Sequence, residues 1–409
     1  MAKRLKGNAV VGQSGGPTMV INESLVGVIE AAKRAGAIRR LLGARHGVRG
    51  MKTGDFVDLK RLSAARLAQI AKTPGSALGS TRDKPDKKYC RKIFEVFAAH
   101  DVRYFFYIGG NDSADTARIV NELAGEAGYE LRVFHVPKTI DNDLRTTDHC
   151  PGYGSAARFV ASAMMGEDRD NASLPGIKIS IIMGRDAGWL TAASSLARRR
   201  PDDGPHLIYV PEVPFVLPRF VDDVMKVYRR LGRCLVAVSE GIVDTDKKRT
   251  PIAVRLALRW GRPVEYDTHG NAQLSGTGIL GDFLTEYIKK KIGKRAAKKL
   301  RIRADTYGYL QRSFAGFASP VDRAEARLAG RMAVKYATGA DVDGSVAFRR
   351  KPGRRYAIEC FPTPLASVAR LTKSLPRNYI NRAGNNITEA FRAYAAPLVG
   401  DLPQIGAIG

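Results

Sequence analysis

The sequence predicts an α/β protein with mostly parallel sheets, and three observations lead there. Short apolar runs recur along the chain, a glycine or polar turn follows each, and each turn leads into a helix-like pattern. The first run, at 9–11, precedes Gly12-Gln13-Ser14-Gly15-Gly16, and a helix is predicted over 22–35, stopping at Gly36. The runs at 104–108 and 132–136 precede Gly109-Gly110-Asn111-Asp112-Ser113 and Pro137-Lys138-Thr139-Ile140-Asp141. Those at 177–182, 207–210 and 234–238 precede Met183-Gly184-Arg185, Pro211-Glu212 and Ser239-Glu240-Gly241. Ligands bind beyond the carboxyl ends of parallel strands, so these six loops are the candidate site loops. A length of 409 residues, 44% of them hydrophobic, suggests two domains or one large unit. Pro151, Gly152 and Gly154 break the chain and suggest a boundary near 148–154. A last helical stretch is expected over 387–395, ahead of Pro397.

Composition narrows the function classes. The start, Met1 to Lys6, is basic, but no apolar core and cleavage site follow. No apolar run approaches the roughly 18 residues that span a bilayer. A soluble, cytoplasmic protein with no membrane partner is therefore expected. Cys90, Cys150, Cys234 and Cys360 are scattered without CxxC spacing, which argues against a zinc site and a disulfide framework. His149 beside Cys150 is the only close pair, and chain neighbours rarely ligate one metal. The charge is unusual, with 67 basic against 40 acidic residues and a net +27. It fits nucleic acid, an anionic surface, small anionic substrates, or a plain solvated surface. The densest stretch, 289–303, holds nine basic residues in fifteen. Leu284, Ile288 and Ile292 run into it at four-residue spacing, the inner face of a helix, so its lysines read as a solvated outer face rather than a polyanion contact. Nucleic acid is not the expected partner.

Three loops carry candidate chemistry. Ser14-Gly15-Gly16 leads toward a helix, where backbone amides with no side chain in the way can hold an anion. It is not a Walker A loop, because GxxxxGK[ST] occurs nowhere. Gly152-x-Gly154 follows Cys150-Pro151 rather than a strand and reads as a turn into a helix. In the second glycine turn, Asp112 or Ser113 could cap the next helix, and the loop could also bind a ligand. The third segment, Pro137-Lys138-Thr139-Ile140-Asp141-Asn142-Asp143, is the most informative. One carboxylate can accept a hydroxyl proton while the other helps hold Mg²⁺, and the lysine can neutralise phosphate charge. A polar turn with Asx capping gives the same composition.

Together these segments resemble a known family. GQSGG at Gly12 to Gly16, LGSTR at Leu78 to Arg82, GGNDS, PKTIDND, MGR, SEG, and RADTYGYLQR at Arg303 to Arg312 occur in the order and approximate spacing of the phosphofructokinase family. The resemblance is close over about residues 8–345 and looser in the tail. It implies the phosphofructokinase fold, two Rossmann-like three-layer α/β/α domains with mostly parallel sheets. Residues 1–148 would bind the donor, completed by about 310–370, and 149–309 the sugar phosphate, completed by about 371–409. It implies Asp141 as the general base at the sugar C1 hydroxyl, Asp143 as its partner near Mg²⁺, and Thr139 at the transferred phosphoryl group. Gly15, Gly16 and Gly110 would line the donor cradle and Arg82 would bind donor phosphates. Met183, Gly184, Arg185 and Glu240 would form the sugar set, with Arg185 also steadying the reacting centre. Tyr309 and Arg312 align with residues at the sugar 6-phosphate; Tyr309 replaces a histidine common in ATP-dependent members, but a phenol still donates a hydrogen bond. Arg303 aligns with an arginine that reaches the neighbouring subunit's site, so a homo-oligomer, dimer or tetramer, is implied.

Three departures stand out. Asn111 occupies a position usually held by aspartate, which weakens one Mg²⁺ ligand and throws weight on Asp112 or Asp143. The strand before MGR lacks the family's arginine and offers Lys178 nearby. Leu25 and Ile29 replace the effector-site arginines of regulated members.

The donor rests on two positions. ATP-using relatives carry glycine where this chain has Asp112 and where it has Lys138; aspartate and lysine resemble the pyrophosphate-dependent subfamily. Asp112 fills the space of an α-phosphate and adds charge, and like charges about 4 Å apart cost about 4 kcal/mol at an effective dielectric of 20. That is roughly a thousandfold in affinity. Lys138 offers a fixed cation to a small, highly charged donor. The expected reaction is reversible, Mg²⁺-assisted transfer from pyrophosphate to O1 of fructose 6-phosphate, with another ketose phosphate such as sedoheptulose 7-phosphate left open. The alternatives are an ATP-dependent enzyme of the same fold and, from another class, a polyanion-binding regulatory protein on a kinase scaffold.

Overall fold

Every residue of the 104–108 run is apolar or aromatic, so a strand there has two faces to bury and needs helices on both sides. The computed structural model describes residues 5–245, 249–261, 263–264, 266, 276–340 and 342–406. Among them eleven strands form: β1 (Gly7–Gln13), β2 (Ile38–Ala44), β3 (Phe56–Asp58), β4 (Val102–Gly109), β5 (Arg132–Pro137), β6 (Ile177–Ile182), β7 (Leu207–Tyr209), β8 (Cys234–Ser239), β9 (Ile302–Thr306), β10 (Gly344–Arg350) and β11 (Ile358–Thr363). The chain divides into two units, one of Met1–Ser155 with Arg312–Lys373 and one of Ala156–Gln311 with Ser374–Gly409.

The first unit holds a seven-stranded sheet in the order β11-β10-β5-β4-β1-β2-β3. Its interior is parallel, and only the edges β3 and β11 run antiparallel to their neighbours. Tyr104, Phe106 and Ile108 point to one face with Ala9, Val11, Phe134 and Val136, against helices Ile21–Arg34 and Pro320–Lys335. Phe105, Tyr107, Val10 and Val133 point to the other, against helices Lys87–Ala99 and Asn111–Glu126. The two-residue alternation therefore feeds two cores and makes three layers. β1 lies between β2 and β4, so the chain reverses its direction of travel across the sheet there, which is where such folds bind ligands.

Helix Pro320–Lys335 returns to this unit and seats on Ile21–Arg34. The buried Glu23 carboxylate accepts from Arg323 Nε at 2.8 Å and Arg327 Nε at 2.7 Å. Two glycines allow the close approach. A Cβ on Gly27 would lie 2.1 Å from the Arg327 carbonyl oxygen, and one on Gly330 would lie 2.1 Å from that of Ser24.

The second unit has an all-parallel sheet, β7-β8-β6-β9. Its core joins Ile177, Ile179 and Ile181 to Val236, Val238, Phe220, Leu284 and Ile288. The inner face read at Leu284 and Ile288 is buried as expected, on helix Ile279–Ile292. The basic stretch is not one helix, however. Gly293 at φ +83° ends it, and only the short helix Lys294–Ala297 follows. The tail helix runs Glu389–Val399, through Pro397, with Phe391, Ala395, Leu398 and Val399 buried. No described helix is long and apolar enough to cross a membrane, and the four cysteines are free thiols.

Alanine normally stabilises a helix relative to glycine, by up to about 1 kcal/mol. At Gly27 and Gly330 the sign should reverse, because the added methyl meets backbone that cannot swing away. Gly27→Ala or Gly330→Ala should cost about 1–3 kcal/mol, and a thermal melt should show a lower Tm. An unchanged or higher Tm would refute the close-crossing account.

Candidate active site

The loops after β1, β4 and β5 lie side by side because those strands are neighbours. They do not form the helix-end anion nest expected for Ser14-Gly15-Gly16. The helix starts only at Ile21, and two of the loop amides are already used: Ser14 N–H donates to the Ile108 carbonyl and Gly15 N–H to that of Thr81, each at 2.9 Å. The glycines make room for cations instead. A Cβ on Gly15 would sit 3.2 Å from Lys138 Nζ and one on Gly16 3.0 Å from Arg312 Nη1. Gly15 also needs its positive φ of +72°.

Lys138 is the centre of this group. Only 4% exposed, it donates from Nζ to the Gly16 carbonyl at 2.8 Å. Burial chiefly, then repulsion by Arg312, brings its pKa down to about 8. Asp141 and Asp143 pull the other way, and Arg82 adds a weaker repulsion. Arg312, read as a sugar-phosphate residue, is thus also a neighbour of the donor loop.

The turn that carries Asp141 and Asp143 is tightly specified. Thr139 Oγ1 accepts the Asp141 N–H at 3.1 Å, and Thr139 N–H donates to the Pro151 carbonyl at 3.1 Å. Asn142, between the two carboxylates, is left-handed at φ +55°, and its side-chain oxygen accepts the Cys150 N–H at 3.0 Å. Upstream, His135 is buried between the Gly109 carbonyl, 2.8 Å from Nε2, and the Ser345 hydroxyl, 2.8 Å from Nδ1. Its pKa falls to about 4, mainly through burial, so it is neutral with the proton on Nε2.

At the second glycine turn the expected capping by Asp112 or Ser113 does not occur. Helix Asn111–Glu126 starts after Gly110, which offers no side chain. Asn111 Oδ1 accepts the Asp112 N–H at 2.8 Å, and Ser113 pairs instead with Ser14, the two Oγ atoms 2.5 Å apart. Asp112 lies 3.5 Å from Lys84 Nζ, with the two side chains 37% and 46% exposed. Lys84 follows Asp83, which Arg49 and Tyr89 hold on the other side of the segment.

The second unit assembles the loops expected to hold the sugar from the ends of β6, β8 and β9. Gly184 N–H donates to Glu240 Oε1 at 3.4 Å, and the Ser239 hydroxyl donates to the Gly184 carbonyl at 2.5 Å. A Cβ on Gly241 would fall 1.9 Å from the Arg185 carbonyl oxygen, so the MGR and SEG loops interlock only with glycine there. Buried Gln311 closes the set, accepting the Met183 N–H at 3.3 Å and donating to the Gly308 carbonyl at 2.8 Å. Its structural role was missed in the sequence, where it stood only as a letter of YLQR. Arg185 pairs with Asp186 at 3.1 Å, and Tyr309 is 38% exposed. Arg303 pairs with Asp170 at 3.0 Å. Lys178 stands opposite Leu235 and Arg303, in the body of β6, bonded to Asp305. That register keeps it away from the carboxyl end of the strand where MGR begins.

Known proteins resemble this chain over most of its length. The family model for Phosphofructokinase matches residues 8–337. The pyrophosphate–fructose 6-phosphate 1-phosphotransferase of Rhodospirillum rubrum is 51% identical over 97% of this chain and 95% of its own length. The enzyme of that name from Xanthomonas campestris is 39% identical, over 97% and 93%. The crystal structure of a pyrophosphate-dependent phosphofructokinase from Nitrosospira multiformis superposes with a TM-score of 0.82 at 34% identity, covering 98% of this chain and 94% of that one. With its motifs in order, its two parallel-sheet units and these relatives over nearly its whole length, the chain belongs to the phosphofructokinase family.

Proposed function

We infer that this chain catalyses reversible transfer of a phosphoryl group from pyrophosphate to O1 of fructose 6-phosphate. The single observation that carries the donor assignment is the buried Lys138, seated in the glycine cradle next to the turn bearing Asp112. Relatives that keep the name pyrophosphate–fructose 6-phosphate 1-phosphotransferase across nearly the full chain support it.

In the reaction the sugar O1 forms a bond to the donor phosphorus and the bridging P–O bond of pyrophosphate breaks. Asp141 accepts the O1 proton, and orthophosphate leaves with the bridging oxygen. Lys138 and Arg82 hold the donor between Gly15, Gly16 and Gly110, and Thr139 orients the phosphoryl group in flight. Met183, Gly184, Arg185, Glu240, Tyr309 and Arg312 hold the sugar phosphate.

Mg²⁺ fits the residues present. It takes few protein ligands and completes its octahedron with water and phosphate oxygens, so a ready-made cage is not required. Among the described residues no group of three or more His, Cys, Asp or Glu side chains stands ready to hold a metal ion. Asp143 would hold the ion; Asp112 is paired with Lys84, and Asn111 Oδ1 already accepts the Asp112 N–H. Bound there, the ion would neutralise charge on the donor oxygens. Leu25 and Ile29 are fully packed in the core, so those two positions present no cation to an effector.

Asp141→Asn keeps the shape but cannot take the proton. Turnover should fall by about 10²–10⁴ while fructose 6-phosphate binding stays near normal, read by steady-state kinetics and calorimetry. More than a third of the wild-type rate would remove Asp141 from the mechanism.

The donor is tested by offering pyrophosphate and ATP in parallel with fructose 6-phosphate and Mg²⁺. Pyrophosphate should be preferred, Asp112→Gly should admit ATP weakly, and Lys138→Gly should cripple pyrophosphate use. Because Lys138 titrates near 8, it is charged below that pH and loses its charge above it. Pyrophosphate KM should therefore rise as pH passes through about 8, and Lys138→Met should lose that dependence. Efficient ATP use with no pyrophosphate activity would overturn the assignment of both positions.

Arg303 motivates an oligomeric enzyme, since its counterpart in the family serves a neighbouring subunit. Light scattering should find a dimer or larger species; a fully active monomer would contradict this.

A further inference from the structure

The turn that carries Asp141 is braced by the chain that returns from it. Thr139 bridges to Gly152, Asn142 receives the Cys150 N–H, and the Lys373 N–H donates to the Asp143 carbonyl at 2.6 Å. The position of the base thus depends on what fixes residues 147–152. One anchor is Asp322, whose carboxylate accepts the Gly152 N–H at 2.9 Å and the Ser155 N–H at 2.8 Å. The other is His149. Its ring is 2% exposed, with Nδ1 2.8 Å from Asp148 Oδ1 and Nε2 2.6 Å from Glu325 Oε2. An imidazole can donate on both sides only as the imidazolium.

We propose that His149 is a positioning residue for phosphoryl transfer: as an imidazolium clamped between Asp148 and Glu325, it holds the return arm 147–152 that sets the turn bearing Asp141. This rests on the reading of Asp141 as the base. Nothing in the sequence assigns His149 such work, because Glu325 lies 176 positions away.

The surroundings favour the charged ring. Burial alone would strip its proton, but hydrogen bonds to Asp148 and then Glu325 more than reverse this, and the net shift is upward. Asp148 is itself held below the usual carboxylate range: burial pushes it up, and the bonds from His149 and Arg350 bring it down further. Tyr356 donates to Glu325 Oε1 at 2.6 Å and lies 3.3 Å from His149 Nε2. Arg350 pairs with Asp148 at 3.1 Å and stacks on Tyr356. The remaining charged or titratable neighbours are Lys373, which donates to the Thr147 and Asp148 carbonyls, Cys150 next in the chain, and Asp322 on the helix of Glu325. The Phe348 ring covers the imidazole at 5.2 Å between centroids. Loss of the proton leaves a neutral ring that can donate to one carboxylate only, so the clamp opens as pH rises through the raised pKa and is complete below it.

The test uses the full-length enzyme with His149→Gln, Glu325→Gln and the milder Tyr356→Phe, which keeps its ring and guards against a variant that fails to fold. For the folded fraction of each, kcat and both KM values are measured across pH. Misplacing the base should lower kcat, by on the order of 10² for His149→Gln and a few-fold for Tyr356→Phe, with both KM values within about twofold. Glu325→Gln should also move the alkaline fall of kcat to lower pH, while the Lys138 limb, read in pyrophosphate KM, stays in place. A merely structural role predicts lower Tm with wild-type kcat per folded molecule and an unmoved kcat profile; that result overturns the proposal. Full activity in Asp141→Asn would instead overturn the reading of the base, a separate outcome.

Discussion

A buried ammonium with two guanidinium groups nearby is the constraint on which the candidate site of the first unit depends. Lys138 is surrounded by positive charge from Arg312 and Arg82 and lies in a pocket that desolvates it, so its proton is held weakly. Asp141 and Asp143 offset part of that charge. A small polyanion that enters resolves the remaining repulsion, and it does so more fully the more charge it carries per unit volume. Pyrophosphate meets that requirement better than the extended, partly apolar tail of a nucleotide. On the proposed reading, binding and chemistry would be linked, because the cation whose proton is held weakly would also receive charge as orthophosphate leaves.

The glycines in the site loops follow from this. Gly15 and Gly16 are small because side chains elsewhere, Lys138 and Arg312, occupy the space that Cβ atoms would take. Gly241 is small because the Arg185 carbonyl lies against it. Glycine-rich loops near phosphate are usually read as amide nests. In this chain the Ser14 and Gly15 amides are spent on the backbone of other segments, and positive charge comes from side chains. The same residue type in the same place has a different physical reason.

That difference marks how far the sequence was legible. The fold class followed from local pattern: six of the strands were anticipated because each is apolar and ends in a glycine or polar turn. β2, β3, β9, β10 and β11 were not anticipated; β2 carries exposed Arg39 and Arg40 and so lacks the apolar signature. Within the site, residues that act through a local motif stood out, as with Lys138, Asp141 and Asp143. Residues that act through partners far along the chain did not. Gln311 works by bonding Met183, His149 by bonding Glu325, and Lys84 by bonding Asp112; no spacing rule joins such pairs. The loop amides of Ser14 and Gly15 were misjudged for the same reason, since their acceptors, Ile108 and Thr81, lie on distant segments.

Lys84 also changes the physical account of donor choice. Taken alone, the Asp112 carboxylate would repel an α-phosphate and, just as surely, the pyrophosphate it is supposed to admit. A lysine 3.5 Å away offsets much of that charge, and because both side chains are partly exposed the pair is screened further. What remains is volume. On the proposed reading, a carboxylate tethered in the first turn of helix Asn111–Glu126 would fill space that glycine leaves open, against a nucleotide but not against a donor that ends at its second phosphorus. Discrimination by bulk costs the smaller ligand nothing, whereas discrimination by charge would weaken both. On that same reading, the ion pair would let one position reject nucleotide with little loss of affinity for the donor assigned to Lys138.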